Sequence, residues 1–397
     1  MSSILLKNAT LQDGSTGDLL VEGGRIATVH AAPGTSAGQT VDCSGMAVLP
    51  AFYNTHTHAA MSLLRGYADD LPLQTWLQDH IWPYEDTLTP GDIRKGSAAA
   101  IREMVRCGCV FFNDMYFDVE ETIAEVEKAG VRACIGITFM DNHSKALREQ
   151  KAETIRQWRD RADGRITIAA APHAIYTAGP DTLLSAAALA REKGIRLHIH
   201  LAETRQEVED CLRDHGTTPV RYLDSLGFLG PDVVAAHCVW VDDGEWEILR
   251  RRGVTVSHCP CSNMKLGSGR FPYEKALRSG VKVTLGTDGN SSNNNLDLRE
   301  EMKFAALLAK VEGDATLLSA PEVLSWATQA GAQAFGLDAG VIADGKLADL
   351  LLVRLDHEKM QPCHNVISNW VYSADSGCID SVMCDGKFLM RNKEILF

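Results

Sequence analysis

Hydrophobic positions follow one pattern at the two ends of the chain and another in the middle. Near the start, ILLKNATLQ and LLVEGGRIATVH are short apolar and β-branched runs, the second around a Gly-Gly turn, which is typical of a β-hairpin. The pattern returns after residue 345 as KLADLLLVRL and SVMCDGKFLM, the second with an Asp-Gly turn. It predicts one small β domain assembled from residues 1–50 and 345–397.

Residues 51–344 alternate instead between short apolar runs and amphipathic stretches. The apolar runs include VRACIGITF, RITIAAAPH, IRLHIHLAE and VKVTLGTD. Between them, TLLSAAALAREKG and DDGEWEILRRRG have helical spacing, and each ends in the Gly that commonly follows a helix. Nearly continuous apolar strands that alternate with helices predict a parallel sheet covered on both faces.

The length of this middle segment favours a closed barrel over an open sheet. An eight-stranded (β/α) barrel typically takes about 250 residues. The rival architecture is an open, doubly wound sheet, but GxGxxG does not follow the first strand. We therefore predict an α/β fold whose catalytic part is a (β/α)8 barrel over residues 51–344.

Composition and charge narrow the classes of function. The chain has 39 Lys and Arg against 52 Asp and Glu, a net charge of −13, which disfavours a nucleic-acid partner. The chain has no run of about 18 uncharged apolar residues, so no membrane span is predicted. The first residues, MSSILLKNAT, lack the basic and apolar regions of a signal peptide. The eleven cysteines, an odd number without CxxC, indicate free thiols and a cytoplasmic protein.

Polar residues recur where the predicted strands end, and these ends open onto one face of a parallel barrel. They are His56 and His58 in NTHTH, His200 and Glu203 in HIHLAE, His237 in VVAAHC, and Asp288 in LGTD. Residues i and i+2 of a strand point to the same side, so both histidines of NTHTH are expected to face the barrel mouth. Three imidazoles and one carboxylate, with room for water, are typical of a catalytic metal site. We predict His56, His58, His200 and Asp288 as its ligands.

Other residues near the ligands suggest the acid and base chemistry. Glu203 follows His200 by three residues, where it can take a proton from an activated water and pass it on. The alternative role for Glu203 is that of a helix cap. His237 can hold or polarise the same water, and Asp288 can accept a proton from it.

Two further histidines at strand positions are predicted to have structural roles. His198 is predicted to be a hydrogen-bonded core residue, and His258 to be structural or to support the site from behind. A two-metal site usually needs a bridging anion, supplied by a modified Lys or by a Glu on a middle strand. The strand RITIAAAPH carries His173 but neither of these residues. One metal ion is therefore predicted.

The motifs around these residues resemble the amidohydrolase superfamily, and within it the branch of cytosine deaminases and chlorohydrolases. The resemblance runs almost end to end, from VEGGRIATV through NTHTH, HLAET, AAHCVW and LGTDGNSS to GKLADLLLV. More specific are LLRGYADDLPLQTWL, IWPYE, SNMKLGSG and TDGNSSNNNLDL. These are similar to motifs of the 5′-methylthioadenosine/S-adenosylhomocysteine deaminases.

The resemblance implies a distorted (β/α)8 TIM barrel with a small β-sandwich domain built from both termini. It implies one divalent metal ion per subunit on the four residues named above, zinc first, with Fe²⁺ or Mn²⁺ as alternatives. The implied reaction is hydrolytic deamination at C6 of 5′-methylthioadenosine, S-adenosylhomocysteine, 5′-deoxyadenosine or adenosine, which releases ammonia. Glu203 would be the proton shuttle, and His237 would orient the attacking water.

The resemblance also implies how the nucleoside is held. Glu85 of IWPYE would bind the ribose hydroxyls, for which an ionised carboxylate is a strong acceptor. His173 would reach the sugar or the 5′ side. Members that use S-adenosylhomocysteine hold its carboxylate with arginines, but one of the expected positions is apolar here, near Ile137. Arg148 is the remaining candidate for that contact, with a solvated helix arginine as its alternative, and a weaker hold would favour substrates without the carboxylate.

Two departures from the family pattern lie at the first barrel strand. Ala51 stands where the family often has Gly, and Tyr53 is bulkier than usual, so both can perturb the loop there. Two other functions stay open. One is deamination or dechlorination of another N-heterocycle, such as guanine, a pterin or a triazine, and the other is a catalytically silent binding barrel. The sequence leaves both a monomer and a homo-oligomer open.

Overall fold

The computed structural model describes residues 3–311 and 313–397, and within them the strands form two sheets. In chain order the strands are β1 (Ser3–Thr10), β2 (Thr16–Glu22), β3 (Arg25–Thr28), β4 (Gln39–Asp42), β5 (Met46–Pro50), β6 (Phe52–Thr57), β7 (Cys109–Tyr116), β8 (Arg132–Phe139), β9 (Ile166–Pro172), β10 (Arg196–Leu201), β11 (Val233–His237), β12 (Thr255–His258), β13 (Lys282–Leu285), β14 (Leu350–Arg354), β15 (Ile379–Cys384), β16 (Lys387–Arg391) and β17 (Glu394–Ile395).

The first sheet is assembled from both ends of the chain, as the terminal patterns predict. Its order is β17-β16-β15-β14-β5-β1-β2-β3, and β4 pairs with β1. The N- and C-terminal segments meet where β5 runs antiparallel to β14, with Leu49 opposite Leu351. Leu6, Leu19 and Leu350 are among the side chains of its small apolar core. The domain limits 1–50 and 345–397 stay a prediction.

The second sheet is the predicted barrel. Its strands follow one another in chain order from β6 to β13, and every neighbouring pair is parallel. All residues of β7, β8, β11 and β12 are buried, which explains why these strands appear as nearly continuous apolar runs. The expected (β/α)8 architecture is confirmed.

Helices cover the barrel and extend the loops at its mouth. They are α1 (Leu73–Thr75), α2 (Trp82–Glu85), α3 (Pro90–Arg106), α4 (Val119–Ala129), α5 (Lys145–Gln157), α6 (Pro180–Lys193), α7 (Arg205–His215), α8 (Pro219–Ser225), α9 (Asp243–Arg252), α10 (Pro260–Lys265), α11 (Tyr273–Ser279), α12 (Asn290–Asn293), α13 (Leu298–Lys310), α14 (Ala320–Ala327), α15 (Gln329–Ala334) and α16 (Val366–Tyr372). A π-helical segment, Trp76–Ile81, joins α1 to α2. Across the described residues, no helix has both the length and the apolar character needed to cross a membrane.

The barrel closes between its first and last strands. The backbone N–H of Asp288 donates to the carbonyl of His56 (3.0 Å), and the hydroxyl of Thr55 donates to the carbonyl of Leu285 (2.9 Å). A Cβ atom at Gly286 would lie 2.8 Å from the Cβ of His56, so a larger residue there would force the strands apart. This close approach sets two predicted ligands, His56 and Asp288, side by side.

A buried polar network joins the barrel to the terminal sheet. Arg132 on β8 donates through Nε to Asp349 (3.0 Å) and through Nη2 to Asp385 (2.9 Å). The hydroxyl of Tyr53 donates to the same oxygen of Asp349 (2.6 Å). Ala51 and Tyr53 are fully buried. The bulk of Tyr53 is therefore accommodated inside the fold, where it adds a contact between the two units.

This network gives a test of how the two units are held together. We expect Asp349→Ala to lower the free energy of unfolding by about 3–5 kcal/mol, because it leaves the Arg132 cation buried without its main partner. Urea denaturation monitored by tryptophan fluorescence measures the change. The control is Glu149→Ala, which breaks an exposed ion pair with Lys145 (3.8 Å) and should leave the midpoint unchanged. Equal effects of the two substitutions would contradict the structural role of Asp349.

Candidate active site

The predicted ligands meet at the floor of the barrel mouth. Oδ1 of Asp288 lies 3.3 Å from Nε2 of His56 and 3.1 Å from Nε2 of His58. Nε2 of His200 lies 3.3 Å from Nε2 of His58. His237 joins the same cluster, since its ligand atom and those of His56 and His200 lie within 4.8 Å of one another.

Backbone carbonyls orient two of these imidazoles. Nδ1 of His58 donates to the carbonyl of Met115 (2.6 Å), and Nδ1 of His200 donates to the carbonyl of His173 (2.8 Å). A carbonyl can only accept, so each Nδ1 carries a proton. In the neutral ring, each Nε2 then presents its lone pair to the centre of the cluster.

His56 and its partner His198 lie deeper in the barrel. Nδ1 of His56 lies 2.9 Å from Nε2 of His198, which is fully buried as predicted for a core histidine. Nε2 of His56 is buried and has no hydrogen-bond partner. A buried polar atom is costly to leave unsatisfied, so this nitrogen is suited to a ligand at the centre of the cluster.

Asp288 is held by two serines that the sequence analysis did not single out. Its Oδ2 accepts hydrogen bonds from Ser262 (2.7 Å) and Ser292 (2.8 Å), which leaves Oδ1 to face the histidines. Burial by itself would raise the pKa of Asp288, but the close contacts and charges of His56 and His58 hold it well below the usual range. The carboxylate is therefore ionised.

The donor set fits a divalent metal ion. Burial lowers the pKa of His56 to about 4 and holds that of His200 well below its usual range, so both are neutral at pH 7. His58 differs, since burial lowers its pKa but the hydrogen bond and charge of Asp288 raise it to about 9. Neutral imidazoles and a carboxylate are the ligands of catalytic zinc sites, and an ion that enters here must displace the proton of His58.

Glu203 lies next to the cluster, on the side where His237 joins it. Oε1 of Glu203 accepts a hydrogen bond from Ser268 (3.1 Å), and its Oε2 lies 3.8 Å from Nε2 of His237. Nδ1 of His237 donates to Asn263 (2.9 Å). Burial raises the pKa of Glu203. A buried carboxyl whose pKa is raised holds its proton more readily than an ordinary carboxyl, which suits it to proton transfer.

Above this floor lies a cavity that is walled partly by Trp76, Leu77 and Trp82. Glu85 lies on its rim, where it also lines a second, outer cavity. The hydroxyl of Tyr116 donates to Oε1 of Glu85 (2.7 Å), yet burial raises the pKa of Glu85 to about 7. The cavity thus combines apolar walls with a few buried polar groups, which is typical of a small-molecule binding site.

His173, Arg148 and His258 occupy three different surroundings. His173 lines the inner cavity, and its Nδ1 lies 2.9 Å from the hydroxyl of Thr177. Arg148 donates to the backbone carbonyls of Asp141 (3.0 Å) and His143 (2.9 Å) and lines a separate cavity. His258 is buried, with its Nε2 2.8 Å from the hydroxyl of Tyr273.

Several partners in the site could not be found from the sequence. Ser262, Ser268 and Asn263 belong to SNMKLGSG, and Ser292 to TDGNSS, so the specific motifs were the available signal. Their roles depend on which loops meet above the strands. Tyr116 carries no motif signal beyond its place at the end of β7.

Comparisons of the sequence and of the fold with known proteins all identify amidohydrolases or deaminases as similar. Residues 47–389 match the model of the amidohydrolase family. A 5-methylthioadenosine/S-adenosylhomocysteine deaminase of Pelotomaculum thermopropionicum is 43% identical over 411 residues, covering 100% of this chain and 95% of that protein. A 5′-deoxyadenosine deaminase of Methanothermobacter thermautotrophicus is 45% identical over 404 residues, covering 99% and 94%. The crystal structure of an adenosine deaminase from Xanthomonas campestris with bound zinc has a TM-score of 0.95 at 36% identity, covering 100% of this chain and 94% of that one.

The cluster predicts how metal binding responds to substitution and to pH. We expect the purified chain to take up one Zn²⁺, and His200→Ala or Asp288→Asn to abolish uptake, as measured by atomic emission after dialysis. His143→Ala, on a loop outside the cluster, is the control that should retain the ion. Affinity should fall as the pH drops below about 9, the pKa of His58, because protons then compete with the metal. Retention of zinc by His200→Ala, or affinity independent of pH, would be evidence against this site.

Proposed function

The chain belongs to the amidohydrolase family, and we propose that it hydrolyses 5′-substituted adenosines to the corresponding inosine derivatives and ammonia. The observation that carries the proposal is one cavity with the His–Asp cluster and Glu203 at its floor and the carboxylate of Glu85 on its rim. That spacing of polar groups suits a nucleoside whose base lies inward and whose ribose lies at the rim. The three relatives described above are named deaminases of adenosine or of its 5′-substituted derivatives, which supports the same reaction.

His56, His58, His200 and Asp288 would hold one divalent metal ion, with zinc the first choice. When bound, such an ion supplies hydroxide at neutral pH by lowering the pKa of a water molecule to about 7. Neutral imidazole and carboxylate ligands also suit Fe²⁺ and Mn²⁺, so the donor set alone does not select zinc.

Glu203 would move the proton that the adenine ring needs. Addition of water at C6 breaks the aromaticity of the ring, and a proton delivered to N1 stabilises the product of that addition. Glu203 is buried, and burial raises its pKa above the usual range, which favours the protonated form of its carboxyl. The hydrogen bond from Ser268 to Oε1 leaves Oε2 as the oxygen that faces the reacting atoms.

His237 and Asp288 would hold the attacking water and receive its second proton. His237 donates its Nδ1 proton to Asn263, so its Nε2 can accept a hydrogen bond from the water. Asp288 is ionised, and its serine partners occupy only Oδ2. Its other oxygen can therefore take a proton and return it to the departing amino group.

Glu85 would bind the ribose. Two vicinal hydroxyls can donate to one ionised carboxylate, and such charge-assisted hydrogen bonds are stronger than neutral ones. Tyr116 already donates to Oε1, which fixes the side chain in place before substrate arrives. His173, on the wall of the same cavity, would lie toward the sugar or its 5′ side.

The outer cavity would receive the 5′ substituent. Phe117, Met140 and Tyr176 give it an apolar wall, and Asp86 and Asp118 lie on its border. Among the described residues that line this cavity there is no lysine or arginine. The amino-acid carboxylate of S-adenosylhomocysteine would therefore find no lysine or arginine in the wall of this cavity. We expect substrates without that carboxylate to be preferred, and a contact from Arg148 stays a prediction.

A substrate panel tests both the reaction and this preference. With metal-loaded enzyme, kcat/KM should be highest for 5′-methylthioadenosine and 5′-deoxyadenosine, and about tenfold or more lower for S-adenosylhomocysteine, because a hydrogen-bonded charge is worth about 1.5–3 kcal/mol. The adenine-to-hypoxanthine absorbance change and ammonia release measure turnover.

The matched control is the 5′-(3-aminopropylthio) analogue, which is S-adenosylhomocysteine without its carboxylate and should recover the lost activity. Equal turnover of S-adenosylhomocysteine and 5′-methylthioadenosine would contradict the preference. Turnover of guanine, a pterin or cytosine, without activity on any of the adenosines, would contradict the proposed reaction.

The pKa of Glu85 predicts a pH effect on nucleoside binding. Below about pH 7 the carboxyl becomes protonated and loses acceptor capacity, so kcat/KM for 5′-methylthioadenosine should fall as the pH falls. Glu85→Gln, neutral at every pH, should lower kcat/KM and remove this dependence, while Glu247→Gln, an exposed residue of α9, should keep both. Glu85→Gln should spare any activity on free adenine. An equal loss on adenine and on the nucleoside would exclude the ribose contact.

A further inference from the structure

The turn that carries Glu203 is fixed by a second buried glutamate. Between β10 and α7, the backbone N–H groups of Ala202 and Glu203 both point at the carboxylate of Glu207. Ala202 donates to Oε1 and Glu203 donates to Oε2, each at 2.8 Å. Glu207 is only 6% exposed, so water does not compete for either contact.

This contact differs from an ordinary helix cap. Glu207 is the third residue of α7, and in a capping box a glutamate at that position accepts from the N–H of the N-cap residue. Glu245 does so at the start of α9, where it accepts from Asp242 (3.0 Å). Glu207 instead accepts from Ala202 and Glu203, the two residues that precede the N-cap residue Thr204. Its carboxylate therefore secures the turn as well as the helix.

The opposite side of the turn is secured as well. Ala202 has a positive φ of 48°, and its carbonyl accepts hydrogen bonds from Val239 (3.0 Å) and Trp240 (2.9 Å), just after β11. A positive φ is unfavourable for alanine, so the turn keeps this shape only because its neighbours hold it. With its N–H groups bound on one side and its carbonyl on the other, the turn directs the Glu203 side chain into the cavity.

We propose that Glu207 is a positioning residue for Glu203, holding the turn so that the carboxyl of Glu203 meets the base of the bound nucleoside. Glu207 itself is not among the described residues that line the inner cavity. The inference rests on the proposed function, since it gives Glu203 the proton transfer at N1. The requirement is geometric, because a displacement of about 1 Å at the reacting groups can cost about 100-fold in rate.

The first test is Glu207→Gln, assayed on 5′-methylthioadenosine with metal-loaded enzyme. The amide keeps the size of the side chain but has one oxygen, so its NH₂ group would face one of the two N–H donors. We expect kcat to fall about 10- to 100-fold, in the range that misplacement of a reacting group produces, while KM changes less than about threefold. Zinc content should stay at that of the wild type.

A matched variant separates positioning from general destabilisation. Glu245→Gln alters another buried glutamate, 2% exposed, at the same position of the helix after the next strand. We expect the two variants to lower Tm by similar amounts, but only Glu207→Gln to lower kcat. A kcat loss of the same size in Glu245→Gln would overturn the proposal, as would loss of zinc from Glu207→Gln.

A double-mutant cycle ties the effect to Glu203. Glu203→Gln alone should lower kcat by about 10²–10⁴-fold while zinc is retained, as expected for loss of a general acid–base group. Adding Glu207→Gln should then cost little more, because the group that it positions is already disabled. Multiplicative losses in the double variant would mean that Glu207 acts independently of Glu203, and the proposal would be wrong.

Two further arms keep the test decisive. If Glu207→Gln does not fold, Glu207→Asp keeps the carboxylate but retracts it by one methylene, so a lower kcat at unchanged KM is again expected, and an unchanged kcat would overturn the proposal. The wild type is measured in the same assay. Absence of deamination by the wild type refutes the proposed function, whereas an active wild type with an equally active Glu207→Gln refutes only the role of Glu207.

Discussion

The candidate site depends on the closure of the barrel between β6 and β13. These strands are about 230 residues apart in the chain, yet the backbone of Asp288 donates directly to that of His56. Gly286 allows the close approach, because the space that a side chain would need is taken by His56. Closure therefore places a carboxylate from the last strand against two imidazoles from the first. His200, Glu203 and His237 lie at the ends of β10 and β11, which open onto the same face of the barrel.

Closure alone would not orient these side chains. Most are also held by a further contact within the protein: two imidazoles by backbone carbonyls, Asp288 by two serines, and the turn of Glu203 by Glu207. These outer contacts select which atom faces inward. They are made within the protein, so the fold itself arranges the candidate ligand atoms. Such preorganisation reduces the reorganisation that the reaction would otherwise require.

The two buried polar regions of the molecule serve different purposes. At the joint with the terminal sheet, Arg132 is matched by Asp349 and Asp385, and the hydroxyl of Tyr53 completes the network. At the barrel mouth, by contrast, Nε2 of His56 is left without a partner, and the pKa of Glu203 and that of Glu85 are raised by burial. Satisfied groups stabilise the fold, whereas groups left unsatisfied or held at a raised pKa are available for binding and proton transfer.

The sequence by itself determined the two kinds of sheet, the barrel, and the strand ends that carry His56, His58, His200, Glu203, His237 and Asp288. It could do so because hydrophobic periodicity reports how each strand is buried, and because parallel strands bring their carboxyl ends to one face. Only the tertiary structure decided the partners of those residues. Ser268 reaches Glu203 and Tyr116 reaches Glu85 across loops and strands, while Arg148 turns back onto its own loop. Such contacts depend on loop paths and side-chain directions, which are set by packing between distant segments and leave no periodic trace in the chain.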